Sequence, residues 1–235
     1  MTRFTPFGAL HLTSVVALAG VVAALCAIGA HLRETRARRR YERLIALLVA
    51  SLWVAYQGYD HIVHGFDVRW SLPLQLCDCS AVIAALAFAW PRRPLHALAW
   101  FWGLALASQA VLTPDLQGGP STLAFWAFWL YHTFVIGAGV YAVVVRRFRP
   151  AWPDLRLAIG LGLAYAVTMF IVDAAFGLNY GYLGRDMPGQ PSLLDVLGAW
   201  PWRALWMVLL ASLAMTLLWL PWAVARRVAP RRADT

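Results

Sequence analysis

Seven long apolar stretches follow one another along this chain of 235 residues, and they limit its fold more than any other feature. A helix needs roughly 20 apolar residues to cross a hydrocarbon core of about 30 Å. The stretches run continuously instead of alternating with polar residues, so they predict helices and not the strands of a barrel. They lie at residues 9–32, 41–64, 72–90, 95–112, 121–145, 155–177 and 202–225. We therefore predict an all-α, polytopic membrane protein with seven transmembrane helices in a single transmembrane domain, residues 1–235.

The composition excludes a soluble protein and several classes of enzyme. The chain is 61% hydrophobic and 13% charged, whereas ordinary globular domains are about 45–50% apolar and about 25% charged. All 20 basic side chains are arginines, so a Schiff-base lysine and a P-loop lysine are both excluded. The net charge of +9 sits in short clusters between apolar stretches. That pattern is typical of the cytoplasmic face of a membrane protein, and we predict no nucleic-acid partner.

The arginines also predict how the chain is oriented. Alternation through seven spans places 16 of the 20 arginines on one side of the membrane. The other four are Arg3, Arg69, Arg185 and Arg203. By the positive-inside rule the N-terminus is extracytoplasmic and the C-terminus is cytoplasmic. The first stretch is followed, not preceded, by its arginine cluster, so we expect a retained helix and not a cleaved signal peptide.

Polar and ionisable side chains concentrate in the predicted outer half of the bundle. Such groups are costly inside lipid, so each one is a functional hypothesis by default. Five spans contribute to one predicted polar cavity, whose members are Asp60, His64, Gln75, Cys77, Asp78, Ser80, Gln109, His132, Asp173 and Asn179. Each alone has a structural explanation, such as packing for a cysteine or a hydrogen bond between helices for a histidine. Their coincidence in one half of the bundle indicates a site.

Spacing separates the two cysteines of the third predicted span. Cys77 and Cys79 are two residues apart and point in nearly opposite directions on a helix, which argues against a metal clamp or a local disulfide. A helix that starts at residue 72 places Cys77 on the order of 8 Å inside it, and His132 lies about 16 Å inside the fifth span. Helix tilt is needed to bring these two side chains together.

Four short strings carry a resemblance to a known family. Residues 72–78 read Leu-Pro-Leu-Gln-Leu-Cys-Asp and residues 179–183 read Asn-Tyr-Gly-Tyr-Leu, while Pro-Ser-Leu-Leu-Asp and Gly-Ala-Trp-Pro-Trp follow at 191–195 and 198–202. Together they resemble the bacterial YwaF-like integral-membrane family. The eukaryotic relative of that family is a transmembrane ether-phospholipid acyltransferase, and a more distant group comprises the androgen-induced threonine/histidine lipid hydrolases. The resemblance implies a multi-pass protein of a bacterial plasma (inner) membrane.

The resemblance also implies a lipid acyltransferase or lipid ester hydrolase that uses a Cys/His pair. Cys77 matches the family's nucleophile, and His132 is the best match for its histidine. A thiol becomes a competent acyl acceptor when a neighbouring imidazole takes its proton. A carboxylate orients the histidine in such sites, and hydrogen-bond donors stabilise the oxyanion. Candidates for these supporting roles are Asp60, Asp78 and Asp173 for orientation, and Gln75, Ser80, Gln109 and Asn179 for the oxyanion.

Three other functions are compatible with the residues alone. A transporter or ion-binding protein could use the intramembrane aspartates and histidines, although the inner half supplies no polar path and no inverted repeat is apparent. A metal site could be built from His61, His64 and Cys77, but no motif of known geometry is complete. The third is a non-catalytic assembly protein. We predict no metal and no cofactor, and membrane lipids as partners; no sequence feature specifies an oligomeric state.

Overall fold

The structure is a computed structural model that describes residues 4–114, 116, 118–185 and 193–228. Within that part of the chain every regular element is helical, which confirms the predicted all-α class. The α-helices are α1 (Ala9–His31), α2 (Arg36–His64), α3 (Leu76–Ala89), α4 (Arg93–Phe101), α5 (Ser108–Leu112), α6 (Leu123–Val144), α7 (Trp152–Phe176) and α8 (Trp202–Val228). A π-helical segment, Trp102–Ala107, joins α4 to α5, and short 3-10 helices lie at Tyr180–Tyr182 and Leu193–Leu197.

The helices form seven rods in the described residues, because α4, the π-helical segment and α5 make one continuous helix, Arg93–Leu112. Contacts between their ends show that the rods alternate in direction. Tyr141, late in α6, donates a hydrogen bond to Glu42, early in α2, at 2.9 Å. His11, early in α1, donates through Nε2 to the carbonyl of Val111, late in α5, at 2.8 Å. We call the end where α2, α4 and α7 begin the arginine end, and the end where α3, α6 and α8 begin the thiol end.

Five rods are long and apolar enough to cross a membrane: α1, the continuous helix from α4 to α5, α6, α7 and α8. They correspond to the first and the fourth to seventh predicted spans. α2 covers the second predicted span, but the polar groups near both of its ends shorten its apolar stretch. α3 has only 14 residues, which is about 21 Å and less than a hydrocarbon core. The prediction of a membrane protein is therefore supported. The number of seven spans and the predicted orientation of the termini are not confirmed. Arg3, Arg231 and Arg232, which contributed to that orientation, lie outside the described residues.

The third predicted span begins later than expected. The prediction started its helix at residue 72, whereas α3 starts at Leu76. Cys77 is therefore the second residue of the helix. The prediction that it lies more than one turn beyond the start of the helix is wrong. Pro73 has no N–H group to donate, and the Asp78 carboxylate accepts a hydrogen bond from the Gln75 N–H at 3.1 Å. Such a cap satisfies a free N–H at the point where the helix starts.

Close approaches of backbone place α6 at the centre of the bundle, in contact with α1, α3 and α4. A Cβ atom at Gly139 of α6 would lie 2.6 Å from the carbonyl oxygen of Ala99. A Cβ atom at Gly103, in the π-helical segment, would lie 2.8 Å from the carbonyl oxygen of Val135. Small residues at such positions let helix backbones pack tightly inside membranes. This packing holds the helix that carries His132 firmly against the π-helical segment.

The outer surface of α8 is a row of exposed apolar side chains. They are Leu205, Leu209, Leu213, Leu217 and Leu220, all between 46% and 56% exposed. In water such a row is an aggregation hazard, but it is the expected surface of a helix that faces lipid. The row therefore agrees with the membrane environment that the composition predicts.

Candidate functional site

The thiol of Cys77 lies in the first turn of α3, at the thiol end of the bundle. The residue is partly buried, and its side chain makes no hydrogen bond in the described part of the chain. The first N–H groups of a helix have no partner within the helix, and together they carry a partial positive charge. An oxyanion that forms beside these groups is stabilised, whereas burial and the adjacent Asp78 carboxylate favour the neutral thiol, so a nucleophilic role for Cys77 requires a base that takes its proton during attack.

Two tyrosines from other helices approach the start of α3. The hydroxyls of Tyr131 on α6 and Tyr165 on α7 both interact electrostatically with Cys77 and Asp78. The Tyr165 hydroxyl donates a hydrogen bond to the Leu74 carbonyl at 2.8 Å, so it holds the segment that leads into α3. The Tyr131 hydroxyl is buried and has no hydrogen-bond partner. Neither tyrosine was among the predicted site residues, although Tyr131 directly precedes the candidate histidine.

His132 is buried, with 5% of its surface exposed. Its Nδ1 lies 2.8 Å from the Phe128 carbonyl oxygen. Since a carbonyl can only accept, Nδ1 carries the proton and the Nε2 of the neutral ring presents a lone pair. Nε2 is buried and makes no hydrogen bond in the described residues, to Cys77 or to any other group. The structure therefore provides a histidine with its basic nitrogen free, and the catalytic Cys77–His132 pair stays a prediction.

The Asp78 carboxylate connects α3 to α2. One of its oxygens caps the N-terminus of α3, and the other accepts a hydrogen bond from the Trp53 indole N–H at 2.9 Å. Ser80, two residues further along, donates its hydroxyl to the Leu76 carbonyl at 2.8 Å and is buried. Both side chains thus make their bonds at the start of α3, where Cys77 directly precedes Asp78.

The second sequence string contacts the first through hydrogen bonds. The buried Tyr180 hydroxyl accepts from the Leu72 N–H at 3.1 Å and donates to the Val68 carbonyl at 2.6 Å. The side-chain oxygen of Gln75 accepts from the Gly181 N–H at 2.9 Å. Non-helical backbone at the start of α3 is therefore satisfied by the chain that follows α7. Two of the four strings that carry the family resemblance, residues 72–78 and 179–183, thus form one structural unit that includes Cys77.

Asp173 and Asn179 hold that unit in shape. One carboxylate oxygen of Asp173, which is 1% exposed, accepts from the Tyr180 N–H at 3.0 Å. The side-chain oxygen of Asn179 accepts from the Gly184 N–H at 3.0 Å. The other Asp173 oxygen is buried without a hydrogen-bond partner. Through these two hydrogen bonds, Asp173 and Asn179 position Tyr180 and the loop that carries it.

A family model, described as that of the TMEM164 family, matches residues 6–219. The chain belongs to the TMEM164 family. An uncharacterized protein of Treponema pallidum (strain Nichols) is 27% identical over 185 residues, which cover 77% of this chain and 76% of that protein. No solved structure matches this chain. These matches contain no statement of activity, so the YwaF-like resemblance and the relation to acyltransferases stay predictions.

Other predicted site residues of this TMEM164-family protein make no hydrogen bond to the α3 unit within the described residues. Asp60 accepts from or pairs with the Nδ1 of His64 at 2.8 Å, at the end of α2, and the His64 side chain is 58% exposed. Gln109 is exposed on α5. The Nδ1 of His61 is bonded to the Gln57 carbonyl at 2.6 Å. In the described residues no three histidine, cysteine or acidic side chains are grouped as metal ligands, so the alternative metal site is not assembled.

A narrow apolar crevice runs beside the α3 unit of the TMEM164-family protein. Its volume is about 80 Å³, and it lies between α3, the π-helical segment, α7 and α8. Its walls include Leu76, Leu106, Tyr165, Met207 and Met215. Leu76 directly precedes Cys77, so the crevice lies at the start of α3, although Cys77 itself is not part of its lining. The prediction was of a polar cavity, whereas this neighbouring space is lined mainly by hydrocarbon and suits a lipid chain.

Proposed function

We propose that this TMEM164-family protein transfers or hydrolyses the acyl group of a membrane lipid, with Cys77 as the nucleophile. The observation that carries the proposal is the placement of this thiol in the first turn of α3, close enough to the buried and unbonded hydroxyl of Tyr131 for an electrostatic interaction. A nucleophile at a helix N-terminus with a preorganised donor beside it is the arrangement that acyl transfer requires. The apolar crevice at the start of α3 is the proposed site for part of the acyl chain.

The proposed reaction has two halves. The base takes the thiol proton, the sulfur attacks the ester carbonyl carbon, and the C–O bond breaks to give a thioester. The alkoxide that leaves takes up the proton from the base and departs as a free lipid hydroxyl. In the second half, water or the hydroxyl of another lipid attacks the thioester and restores the thiol. Charge develops on the carbonyl oxygen in both halves, where the Tyr131 hydroxyl and the first N–H groups of α3 stabilise it.

His132 is the proposed base because its Nε2 offers a lone pair that nothing else occupies. The Tyr131 hydroxyl, which interacts electrostatically with Cys77, is the proposed donor to the oxyanion. The roles of the two residues are therefore separable by substitution. His132→Gln removes the basic nitrogen, whereas Tyr131→Phe removes only a hydroxyl and keeps the ring.

The decisive experiment follows the thioester. Purified protein in lipid nanodiscs is incubated with a phospholipid whose acyl chain is isotopically labelled, and intact mass spectrometry measures acyl-enzyme before and after hydroxylamine. We expect the wild-type protein to carry the labelled acyl group until hydroxylamine removes it, and the Cys77→Ala variant to carry none. Cys79→Ala is the matched control, because Cys79 lies two residues further along α3 and packs against apolar side chains. Equal labelling of wild type and Cys77→Ala would remove Cys77 from the mechanism.

Losses of rate assign the supporting residues. Removal of a general base or of one oxyanion donor costs about 100- to 1000-fold in turnover. We expect His132→Gln and Tyr131→Phe each to fall in this range, and Gln109→Ala, which alters an exposed residue, to keep wild-type turnover. A His132→Gln enzyme with unchanged turnover and an unchanged pH profile would exclude the histidine as the base.

The same proposal includes the membrane topology. We propose that all seven rods cross a bacterial plasma membrane, with the thiol end extracytoplasmic and the C-terminus cytoplasmic. Irregular backbone within membrane depth is tolerated where protein groups satisfy it, and the bonds from Tyr180 and Gly181 to the segment before α3 do so. Single cysteines introduced at Gly119 and Arg226, in a background without native cysteines, test this with impermeant maleimide on intact cells. Labelling at Gly119 alone is expected, and labelling at Arg226 would reverse the orientation.

A further inference from the structure

A pocket of about 470 Å³ opens at the arginine end, opposite to Cys77. It lies beside the loop between α1 and α2 and the end of α6. Six arginines line it, namely Arg36, Arg38, Arg39, Arg40, Arg43 and Arg146, with Glu34 as the one lining carboxylate. We call it the arginine pocket. Its size and charge distinguish it from a scatter of basic residues along a membrane surface.

Ion pairs with the buried carboxylate of Glu42 hold two of these arginines, Arg38 and Arg146, in place. Glu42, with 1% of its surface exposed, pairs with Arg146 and accepts a hydrogen bond from Tyr141 at 2.9 Å. Its carboxylate also lies 3.8 Å from the Nε of Arg38. Both arginines are about nine-tenths buried or more, and both pair on their other side with the exposed Glu34. The two guanidinium groups are thus held in place before any ligand arrives, which lowers the entropy cost of binding.

The remaining four arginines of the pocket form no ion pairs in the described residues. Arg36, Arg39, Arg40 and Arg43 are exposed, and none forms an ion pair with a carboxylate in the part of the chain that the structure describes. They belong to the first two turns of α2, whose N-terminal N–H groups add partial positive charge. The Nε of Arg146 is also buried without a hydrogen-bond partner. The pocket therefore offers more donors and positive charge than the protein itself satisfies.

We propose that the arginine pocket binds a phosphate-bearing anion. Guanidinium groups match the geometry of phosphate with paired hydrogen bonds, and arginine is preferred over lysine where such bonds are needed. A helix N-terminus is a second feature suited to this anion. The phosphate belongs either to the headgroup of an anionic phospholipid, which the position at the end of the bundle makes accessible, or to a soluble phosphate compound. The site is separate from Cys77, so it does not depend on the proposed reaction.

The test compares two triple variants of the full chain with equal change in charge. The pocket variant is Arg36→Gln/Arg39→Gln/Arg40→Gln, which leaves the buried pairs intact. The control variant is Arg92→Gln/Arg147→Gln/Arg156→Gln, whose residues are exposed at the same end but do not line the pocket. Native mass spectrometry counts phosphatidic acid retained from mixed micelles with phosphatidylcholine. Calorimetry in neutral detergent measures binding of inorganic pyrophosphate.

We expect at least about a tenfold loss of affinity in the pocket variant, since a hydrogen bond to a charged group is worth about that much or more. The control variant is expected to stay within threefold of wild type. Retention of phosphatidic acid alone assigns a lipid headgroup, and binding of pyrophosphate assigns a soluble ligand. Equal losses in both triple variants, or no binding of either probe to wild type, would overturn the proposal. If the pocket triple does not fold, Arg39→Gln against Arg156→Gln gives the same comparison.

Discussion

The Tyr180 hydroxyl offers the sharpest test of how the start of α3 is held in place. The side chain is fully buried, and its hydroxyl contacts two backbone groups of the segment before α3. It donates to the Val68 carbonyl at 2.6 Å and accepts from the Leu72 N–H at 3.1 Å. Tyr180→Phe removes both hydrogen bonds while it keeps the ring and its packing. The substitution therefore isolates the polar contribution of this residue.

The expected loss follows from the burial of the two partners. A buried polar group left without a partner costs about 1–3 kcal/mol. Val68 is 47% exposed, so its carbonyl regains a bond to water or headgroups, whereas the Leu72 N–H is less accessible. Two such costs add up to about 2–6 kcal/mol. Because one of the two partners is partly exposed, we expect Tyr180→Phe to lower the free energy of unfolding by about 2–4 kcal/mol. Tyr59→Phe is the matched control, because Tyr59 is 37% exposed and its hydroxyl makes no hydrogen bond within the described residues.

The assay is equilibrium unfolding of the purified variants in mixed micelles with increasing denaturing detergent. A second readout is the rate at which maleimide alkylates Cys77 in a Cys26→Ala/Cys79→Ala background, which is expected to rise when the start of α3 loosens. If Tyr180→Phe and Tyr59→Phe differ by less than about 0.5 kcal/mol, the hydroxyl contacts do not hold this segment and the reasoning fails.

The pH dependence adds an independent check on the same residue. Burial raises the pKa of the Tyr180 hydroxyl. The unfolded chain then ionises first, near the ordinary tyrosine pKa of about 10. The stabilisation by Tyr180 is fully present below that pH and is lost as the pH rises through the higher folded-state pKa. The stability difference between wild type and Tyr180→Phe should therefore shrink above about pH 10; a difference that grows with pH would contradict the burial of the hydroxyl.

Two further predictions concern the arginine end and the helix packing. Glu42→Gln leaves buried guanidinium groups without their carboxylate and should lower the free energy of unfolding by about 3–5 kcal/mol. Glu34→Gln alters an exposed side chain and should lower it by less than about 1 kcal/mol. Equal effects in the same unfolding assay would mean that the buried ion pair contributes no more to stability than the exposed one. Gly139→Ala places a Cβ atom 2.6 Å from a backbone carbonyl oxygen of α4, while Gly160→Ala meets nothing within 4 Å. The first should therefore destabilise by about 1–3 kcal/mol and the second should not, and a thermal melt that cannot tell them apart would contradict the close helix contact.

The candidate nucleophile was accessible to sequence reasoning, but its neighbours were not. Cys77 lies in a recognisable string, and its position among polar residues drew attention to it. Tyr131 and Tyr165 lie inside apolar stretches where an aromatic residue is ordinarily a packing residue. Only the convergence of α6 and α7 on the start of α3 lets their hydroxyls interact electrostatically with Cys77 and Asp78. Likewise Asp78 and Gln75 were predicted as cavity residues, and the structure assigns them bonds that position backbone.

The amino-acid sequence by itself determined that this chain is helical and belongs in a membrane, because hydropathy is a local property that adds up along each stretch. It also located most helix ends to within five residues. Tertiary structure alone decided where α3 starts and which carboxylate lies beneath the arginines. Those outcomes depend on hydrogen bonds between residues about 100 positions apart, such as Tyr180 with Leu72 and Tyr141 with Glu42. No local pattern encodes such pairs, since each partner is individually compatible with several environments and only the packed bundle selects one.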